Sequence, residues 1–212
     1  MGRPPDIDRR VELLDAVVEF LATNGLAGMS LRPMARALGT SVNGLTHHFG
    51  SKEAMVVAAL HRAATVQQEV QQRWLAGKPG LSQADLTRRW WRWINSSPAN
   101  LALVRLGLEA AALDAAGGDL PDAVRAEQIT LWRDNIEARL RTEGLDAPTA
   151  KVEAALVKAM FSGLVLDLIA TGQRRQLTQA LEVGLARLEQ IVWASAGLSE
   201  PAVPAQPHRR SR

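Results

Sequence analysis

The stretch of sequence that decides the fold is residues 30–53, SLRPMARALGTSVNGLTHHFGSKE. Ser30 and Ser41 each stand where a short helix would begin, and Gly39 separates the two segments. Two short helices joined by a tight turn form a helix-turn-helix, the motif whose second helix enters the major groove of DNA. We therefore predict a helix-turn-helix over residues 30–49.

The second of these helices has one apolar and one polar face. At about 100° per residue, Leu45 and Phe49 point together toward a core, whereas Asn43 and its neighbours point the opposite way. Asparagine can pair with adenine through two hydrogen bonds, and threonine can contact a thymine methyl group or a phosphate. Gly44 would let the backbone approach the DNA. Lys52, beside the free N–H groups at the start of the next helix, adds an anion-binding charge.

These residues resemble the DNA-binding domain of the TetR family. The similarity runs from Arg10 to Leu60 and includes the sequence Ala22-Thr23-Asn24-Gly25 as well as the motif above. It implies a homodimeric repressor of operator DNA, released by a small-molecule effector in a C-terminal helical domain. The family usually has an aromatic residue, most often tyrosine, at Thr46, so its phosphate contact is here either lost or taken over by His47 or His48. It usually has a β-branched apolar residue at Thr40. The DNA-contacting residues expected on both grounds are Ser30, Arg32, Thr40, Ser41, Val42, Asn43, Gly44, Thr46, His47, His48 and Lys52.

The rest of the chain predicts helices and almost no strand, because apolar residues recur at three-and-four spacing between glycine and proline breakers. Five further helices are expected, over about 82–96, 99–116, 121–142, 147–171 and 178–196. We predict an all-α fold of about nine helices. The expected units are a DNA-binding domain (6–66), a helical effector-binding and dimerisation domain (67–198) and a disordered basic tail (199–212).

The effector site is predicted from tryptophans and from acids in apolar surroundings. Trp90 and Trp93 share an inward stripe, although the basic residues between them also allow a single-strand stacking platform. Glu109 either pairs with Arg105 on its own helix or faces a cavity, and Asp167 lies either at the surface or in a pocket. Acids and tryptophans in one cavity would favour a lipophilic cation. The candidate effector residues are Trp90, Trp93, Glu109, Trp132, Met160 and Asp167.

The last two predicted helices carry apolar stripes suited to a four-helix bundle between two subunits, the arrangement that the family resemblance implies. Small residues along them allow close helix approach. Packing within one chain is the alternative. The predicted interface residues are Val152, Leu156, Met160, Gly163, Leu164, Leu181, Leu185, Leu188 and Val192.

Charge and composition narrow the function further. Three of the 25 Lys and Arg residues stand in the tail after residue 207, which leaves 22 against 22 Asp and Glu, so DNA binding must rest on local placement. Cysteine and tyrosine are absent and the histidines lie outside the C-terminal core, so an all-helical enzyme is disfavoured. An adaptor with a degenerate DNA-binding head is the other alternative. No cofactor or metal is expected, since adjacent His47 and His48 face different sides of a helix.

The apparent lack of a leader peptide, and of an apolar run near 20 residues, predicts a cytoplasmic, nucleoid-associated protein without membrane contact.

Overall fold

The structure is a computed structural model that describes residues 7–27, 29–115, 127–195 and 197. That part of the chain forms nine α-helices and no strand, which confirms the all-α prediction. The predicted tail, and the start of the helix expected from residue 121, lie outside the described residues. The helices are α1 (Ile7–Asn24), α2 (Leu31–Ala37), α3 (Val42–Phe49), α4 (Lys52–Gly77), α5 (Gln83–Ser96), α6 (Pro98–Ala115), α7 (Glu127–Thr142), α8 (Ala147–Thr171) and α9 (Arg174–Ser195).

Most helices begin where a side-chain oxygen accepts one of the free backbone N–H groups of the first turn. Ser41 Oγ accepts from Gly44 N at 2.9 Å, Ser51 Oγ from Ala54 N at 3.1 Å, and an Asp146 oxygen from Thr149 N at 2.9 Å. Ser30 holds the corresponding position before α2, but its exposed hydroxyl makes no capping hydrogen bond. Ser30 therefore occupies the expected N-cap position without forming the capping hydrogen bond.

Helix α9 begins four residues earlier than the sequence predicts. Gly172 ends α8 in the left-handed conformation (φ 68°), and Arg174 N donates to Gly172 O at 2.7 Å, so the chain turns at once into the next helix. Thr178, where the sequence predicts the helix to begin, instead lies inside α9. Its hydroxyl donates to Arg174 O at 2.8 Å and accepts from Trp91 Nε1 at 2.7 Å.

The described residues form three hydrophobic clusters; one lies between α7, α8 and α9, and the other two meet along α4 and α6. The first core of these two packs α1 to α4 around fully buried side chains such as Leu21, Met34 and Leu45, and it includes Leu106 from α6. The second packs α5, α6, α8 and α9 together. Helix α4 runs without a break through the expected domain boundary at residues 66 and 67, so the two expected domains share one helix.

Helix α8 is long and apolar enough to cross a membrane by length and composition alone, which corrects the expectation that no such run exists. In the structure it packs against α7 and α9 and buries Val157, Phe161 and Val165. The high hydropathy of α8 comes from both of its faces. One face is buried in the subunit, and the opposite face is also apolar and is exposed at Val152 and Leu166.

Candidate DNA-binding face and effector cavity

Helix α3 is anchored on one face and free on the other. Leu45 and Phe49 are buried in the first core, whereas Asn43 and His47 are exposed. Arg32, in the first turn of α2, is exposed as well. The arrangement presents short polar side chains on a firmly held helix, which suits hydrogen bonding to base edges.

Lys52 is the exposed first residue of α4, beside α3. The next residue, Glu53, also lies in the first turn: its carboxylate accepts hydrogen bonds from its own backbone N–H and from the Ser51 hydroxyl, which lower its pKa. Lys52 and the free N–H groups of the first turn therefore form a positive end next to one structural carboxylate.

Several predicted DNA contacts turn inward instead. The Thr46 hydroxyl donates back to Val42 O and Asn43 O, each at 3.2 Å. The Val42 side chain is half-buried against the first core. His48 is half-buried, and its Nδ1 is buried without a hydrogen-bond partner among the described residues. Direct contact through these three side chains is not what this geometry favours, which corrects that part of the sequence prediction.

A cavity of about 310 Å³ lies between α4, α6, α7 and α8 and touches α5. Trp90, Trp132 and Phe161 supply aromatic walls, and Val104 and Leu108 add aliphatic surface. A second cavity of about 430 Å³ adjoins it on the α5 side. The residues that line both are Gln68, Gln71, Trp90, Trp132, Asn135 and Phe161.

Only part of the predicted effector set lines these cavities. Trp90 and Trp132 do, whereas Trp93 packs edge-on against Trp90 at 5.2 Å between ring centroids without joining the lining. Met160 lies half-buried against Gly184, and Asp167 is exposed. Glu109 contacts Leu26 N and Arg105 instead. The two acids therefore do not share a cavity with the tryptophans, and each takes its alternative position, an ion pair for Glu109 and the surface for Asp167.

The sequence prediction missed the polar lining. Helix α4 contributes His61, Gln67, Gln68 and Gln71, and α8 contributes Lys158. Burial lowers the pKa of Lys158, and the nearby positive charge of Arg133 lowers it further. Within the lining, His61, Thr65, Gln68 and Gln71 recur at three- and four-residue steps, which indicates one helix face, but the sequence did not reveal what that face covers.

Glu109 and Arg105 form a clasp between α6 and the end of α1. Arg105 donates to Ala22 O at 2.6 Å and pairs with Glu109 at 3.1 Å. Glu109 also accepts from Leu26 N at 2.9 Å, across the turn at Gly25. Gly25 has φ 82°, a conformation that glycine adopts most readily. A Cβ at this position would lie 3.1 Å from the Glu109 carboxylate, so glycine also leaves room for the Glu109 side chain.

The ion-pair interpretation of Glu109 is thus the one that the structure supports. Val104, Gly107 and Leu108 line the cavity from the other face of α6.

Comparison with known proteins agrees with this architecture. A transcriptional regulator from Rhodococcus sp. Rha1 superposes with a TM-score of 0.68 over 85% of this chain and 96% of that one, at 24% identity. The multidrug binding protein EbrR, solved with imidazole, superposes with a TM-score of 0.61 over 96% of each chain, at 26% identity. Residues 13–59 match the profile of bacterial regulatory proteins of the tetR family. The chain carries a DNA-binding domain of the TetR family.

A curated relative matches this chain over the same domain. The HTH-type transcriptional repressor KstR2 of Rhodococcus jostii (strain RHA1) is 46% identical over 48 residues, which are 23% of this chain and 24% of the repressor. The chain thus matches about a quarter of that repressor's length. The resemblance inferred from residues 10–60 is confirmed.

The predicted dimer residues divide into exposed and buried groups. On α8, Val152, Leu156 and Gly163 are exposed, while Met160 and Leu164 are half-buried. On α9, Leu181, Leu185 and Leu188 are at most 1% exposed inside the subunit, so their assignment to an interface is wrong; Val192 is half-buried. The exposed apolar residues that the prediction missed include Leu166 on α8 and Val183 on α9.

Among the described residues, no group of three or more His, Asp or Glu side chains is arranged to hold a metal ion.

Gly44 has a structural role in this TetR-family motif that the sequence did not indicate. A Cβ at this position would lie 2.6 Å from Thr40 Oγ1, closer than real contacts allow. The glycine therefore lets the turn pack against α3, in addition to any approach to DNA.

We expect Gly44→Ala to be more destabilising with Thr40 present than in a Thr40→Ala background. In the second background the helix propensity of alanine, worth up to about 1 kcal/mol over glycine, is no longer offset by the contact. A double-mutant cycle by chemical denaturation should give a coupling of about 1 kcal/mol. Additive effects of the two substitutions would contradict the packing role.

Proposed function

We propose that the protein is a ligand-responsive transcriptional regulator, a repressor that binds a pseudo-palindromic operator as a homodimer and is released by a small-molecule effector. The observation that carries this proposal is the exposed polar face of α3 beside the positive N-terminal end of α4. The proposed place of action is the cytoplasmic nucleoid, and the proposed activity is binding without catalysis.

In this proposal the exposed residues divide into two roles. Asn43 and His47 reach base edges in the major groove, and Asn43 is suited to adenine. Lys52 and the uncapped Ser30 hydroxyl contact phosphates, and Arg32 reaches phosphate or guanine. Phosphate contacts fix the register of the helix, while base contacts supply the sequence preference.

The homodimer would form through the exposed face of α8. Val152, Leu156 and Leu166 are 59%, 47% and 55% exposed on that face, and Val183 of α9 is 73% exposed. Ala155, Ala159 and Gly163 lie between them and are also exposed, so two such helices can approach closely. The family resemblance and this unpartnered apolar surface together support a second copy as the occupant.

Helix α6 supports the proposed response to an effector. Val104, Gly107 and Leu108 touch the cavity, whereas Arg105 and Glu109 hold the end of α1. A ligand that shifts α6 would therefore act directly on the DNA-binding half. Such a ligand must bind the released state better than the operator-bound state, by roughly 5 kcal/mol for a nearly complete switch.

The experiment is a mobility-shift titration on DNA upstream of the protein's own gene. We expect Lys52→Ala to weaken binding to all DNA about equally and to lower the salt slope by about one, because it removes one phosphate contact. Asn43→Ala should cost about 1–3 kcal/mol, mainly at one base position. The double variant should abolish the shift.

Lys78→Ala is the matched charge control, since Lys78 is an exposed lysine at the far end of α4. It should bind like the unaltered protein. Equal losses on operator and scrambled DNA for both test variants would overturn the assigned roles, and no shift on any promoter DNA would overturn the function.

A further inference from the structure

We propose that the effector is a small amphipathic carboxylate, whose negative group binds Lys158 and Ser162 and whose apolar body lies against the aromatic wall of the cavity. This inference rests on the proposed function and names the ligand class of the same site. It reverses the lipophilic cation that the sequence suggested.

The charge of the cavity points to an anion. No aspartate or glutamate is found among the described residues that line either cavity, while Lys158 and His61 both line the first. Arg133 lies near enough to Lys158 to act on its charge. Within the described part of the chain, no carboxylate forms an ion pair with Lys158. A cationic ligand would meet repulsion here, and an anionic one would supply a counter-ion.

Lys158 and Ser162 lie four residues apart on α8 and therefore share one helix face, with Phe161 beside them. All three line the cavity. The Ser162 hydroxyl oxygen is buried and has no hydrogen-bond partner in the described structure. A buried hydroxyl without a partner is costly, so a bound acceptor or water is expected there. An ammonium and a hydroxyl on one face can together hold the two oxygens of a carboxylate.

The remaining surface accepts an apolar body. Trp90, Trp132 and Phe161 converge on the cavity, and Trp132 meets Phe161 edge-on at 5.4 Å between ring centroids. Trp90 Nε1 donates to Gln71 Oε1 at 3.2 Å, so its polar atom is already paired and its ring is left for packing. The volume of about 310 Å³ lies at the lower end of the range for ligand pockets, roughly 300–1,000 Å³. The ligand is accordingly a small molecule.

The test compares three probes with the same ten-carbon chain, namely decanoate, decanol and decylammonium. Binding to the full-length protein without DNA is followed by quenching of tryptophan fluorescence, to which Trp90 and Trp132 contribute from the cavity wall. We expect decanoate to bind about 10- to 100-fold more tightly than decanol, as for a hydrogen bond to a charged group, and decylammonium to bind most weakly.

Lys158→Gln should reduce decanoate affinity to that of decanol and leave decanol affinity within about twofold. Lys151→Gln is the matched control, because Lys151 is an exposed lysine on the same helix outside the cavity lining. It should keep the full preference. Ser162→Ala should weaken decanoate more than decanol.

Equal affinity of the three probes, tighter binding of decylammonium, an unchanged preference in Lys158→Gln, or no binding of any probe would each overturn the inference. Its failure is distinguishable from failure of the proposed function, because operator binding and its loss in the Asn43 and Lys52 variants are measured without a ligand. A retained anion preference in a protein that shifts no DNA would overturn the regulator and leave the ligand class standing.

Discussion

Replacing Leu156 by aspartate is expected to convert the proposed dimer into a monomer and to abolish operator binding with it. Leu156 lies in the middle of the exposed apolar face of α8, where two copies of the substituted residue would meet. Burying an unpaired polar group costs roughly 2 kcal/mol or more, so two copies should weaken dimerisation by about 1,000-fold. Sedimentation across a dilution series measures the change in mass, and a mobility shift measures the loss of operator binding.

Val11→Asp is the matched control for that substitution, since Val11 is 47% exposed, as Leu156 is, but lies on α1. It should leave the oligomeric state unchanged. A Leu156→Asp protein that still sediments as a dimer at low concentration would exclude α8 as the interface. A folded monomer that binds the operator with undiminished affinity would show that two coupled heads are not required.

The second large effect is expected at the clasp between α6 and α1. Glu109→Ala removes the acceptor of Leu26 N and the partner of Arg105 in one change. Movement of α6 would then no longer be transmitted to α1. Allosteric coupling is typically worth about 5- to 150-fold in affinity, and we expect this factor to fall toward one in the variant. The measurement is the dissociation constant for operator DNA with and without saturating decanoate.

Coupling is reciprocal, so the operator should change decanoate affinity by the same factor, and both should shrink together in Glu109→Ala. Glu182→Ala is the control, because it removes an ion pair to Arg88 at 2.8 Å that joins α5 to α9 and has no contact with α1. It should retain the release. A folded Glu109→Ala protein that decanoate still releases by the full factor would contradict the role of the clasp.

The helices could be predicted where their signals are local. Ser41, Ser51 and Asp146 cap helices that start within a residue of the predicted positions, because a cap depends only on the next three residues. The start of α9 could not be predicted. Thr178 has the side chain of a cap, but its hydroxyl instead bridges Arg174 to Trp91, which is remote in sequence.

The site divides in the same way. The exposure of Asn43 could be predicted from the helical wheel of α3, and that of Lys52 from its position at the start of α4. Both side chains are exposed in the structure. The cavity depends on which helix faces which. The sequence therefore did not identify Lys158 as a lining residue. It allowed Glu109 either an ion pair or a place in a cavity, and the hydrogen bond from Leu26 N favours the first. Leu185 was predicted at the dimer interface because periodicity identifies an apolar helix face. Periodicity does not show whether that face packs against the same chain or against a second one.

The continuity of α4 makes it a stiff rod between the two halves. Its 26 residues span about 39 Å at 1.5 Å per residue, with Lys52 at one end and the cavity-lining glutamines beyond its middle. Over that length a tilt of roughly 5° moves the far end by roughly 3 Å, about one hydrogen-bond length. In a dimer the two ends move in opposite senses, so the mismatch doubles against half-sites about 34–36 Å apart. A rotation of that size would thus suffice to put both α3 helices of a dimer out of register with their half-sites.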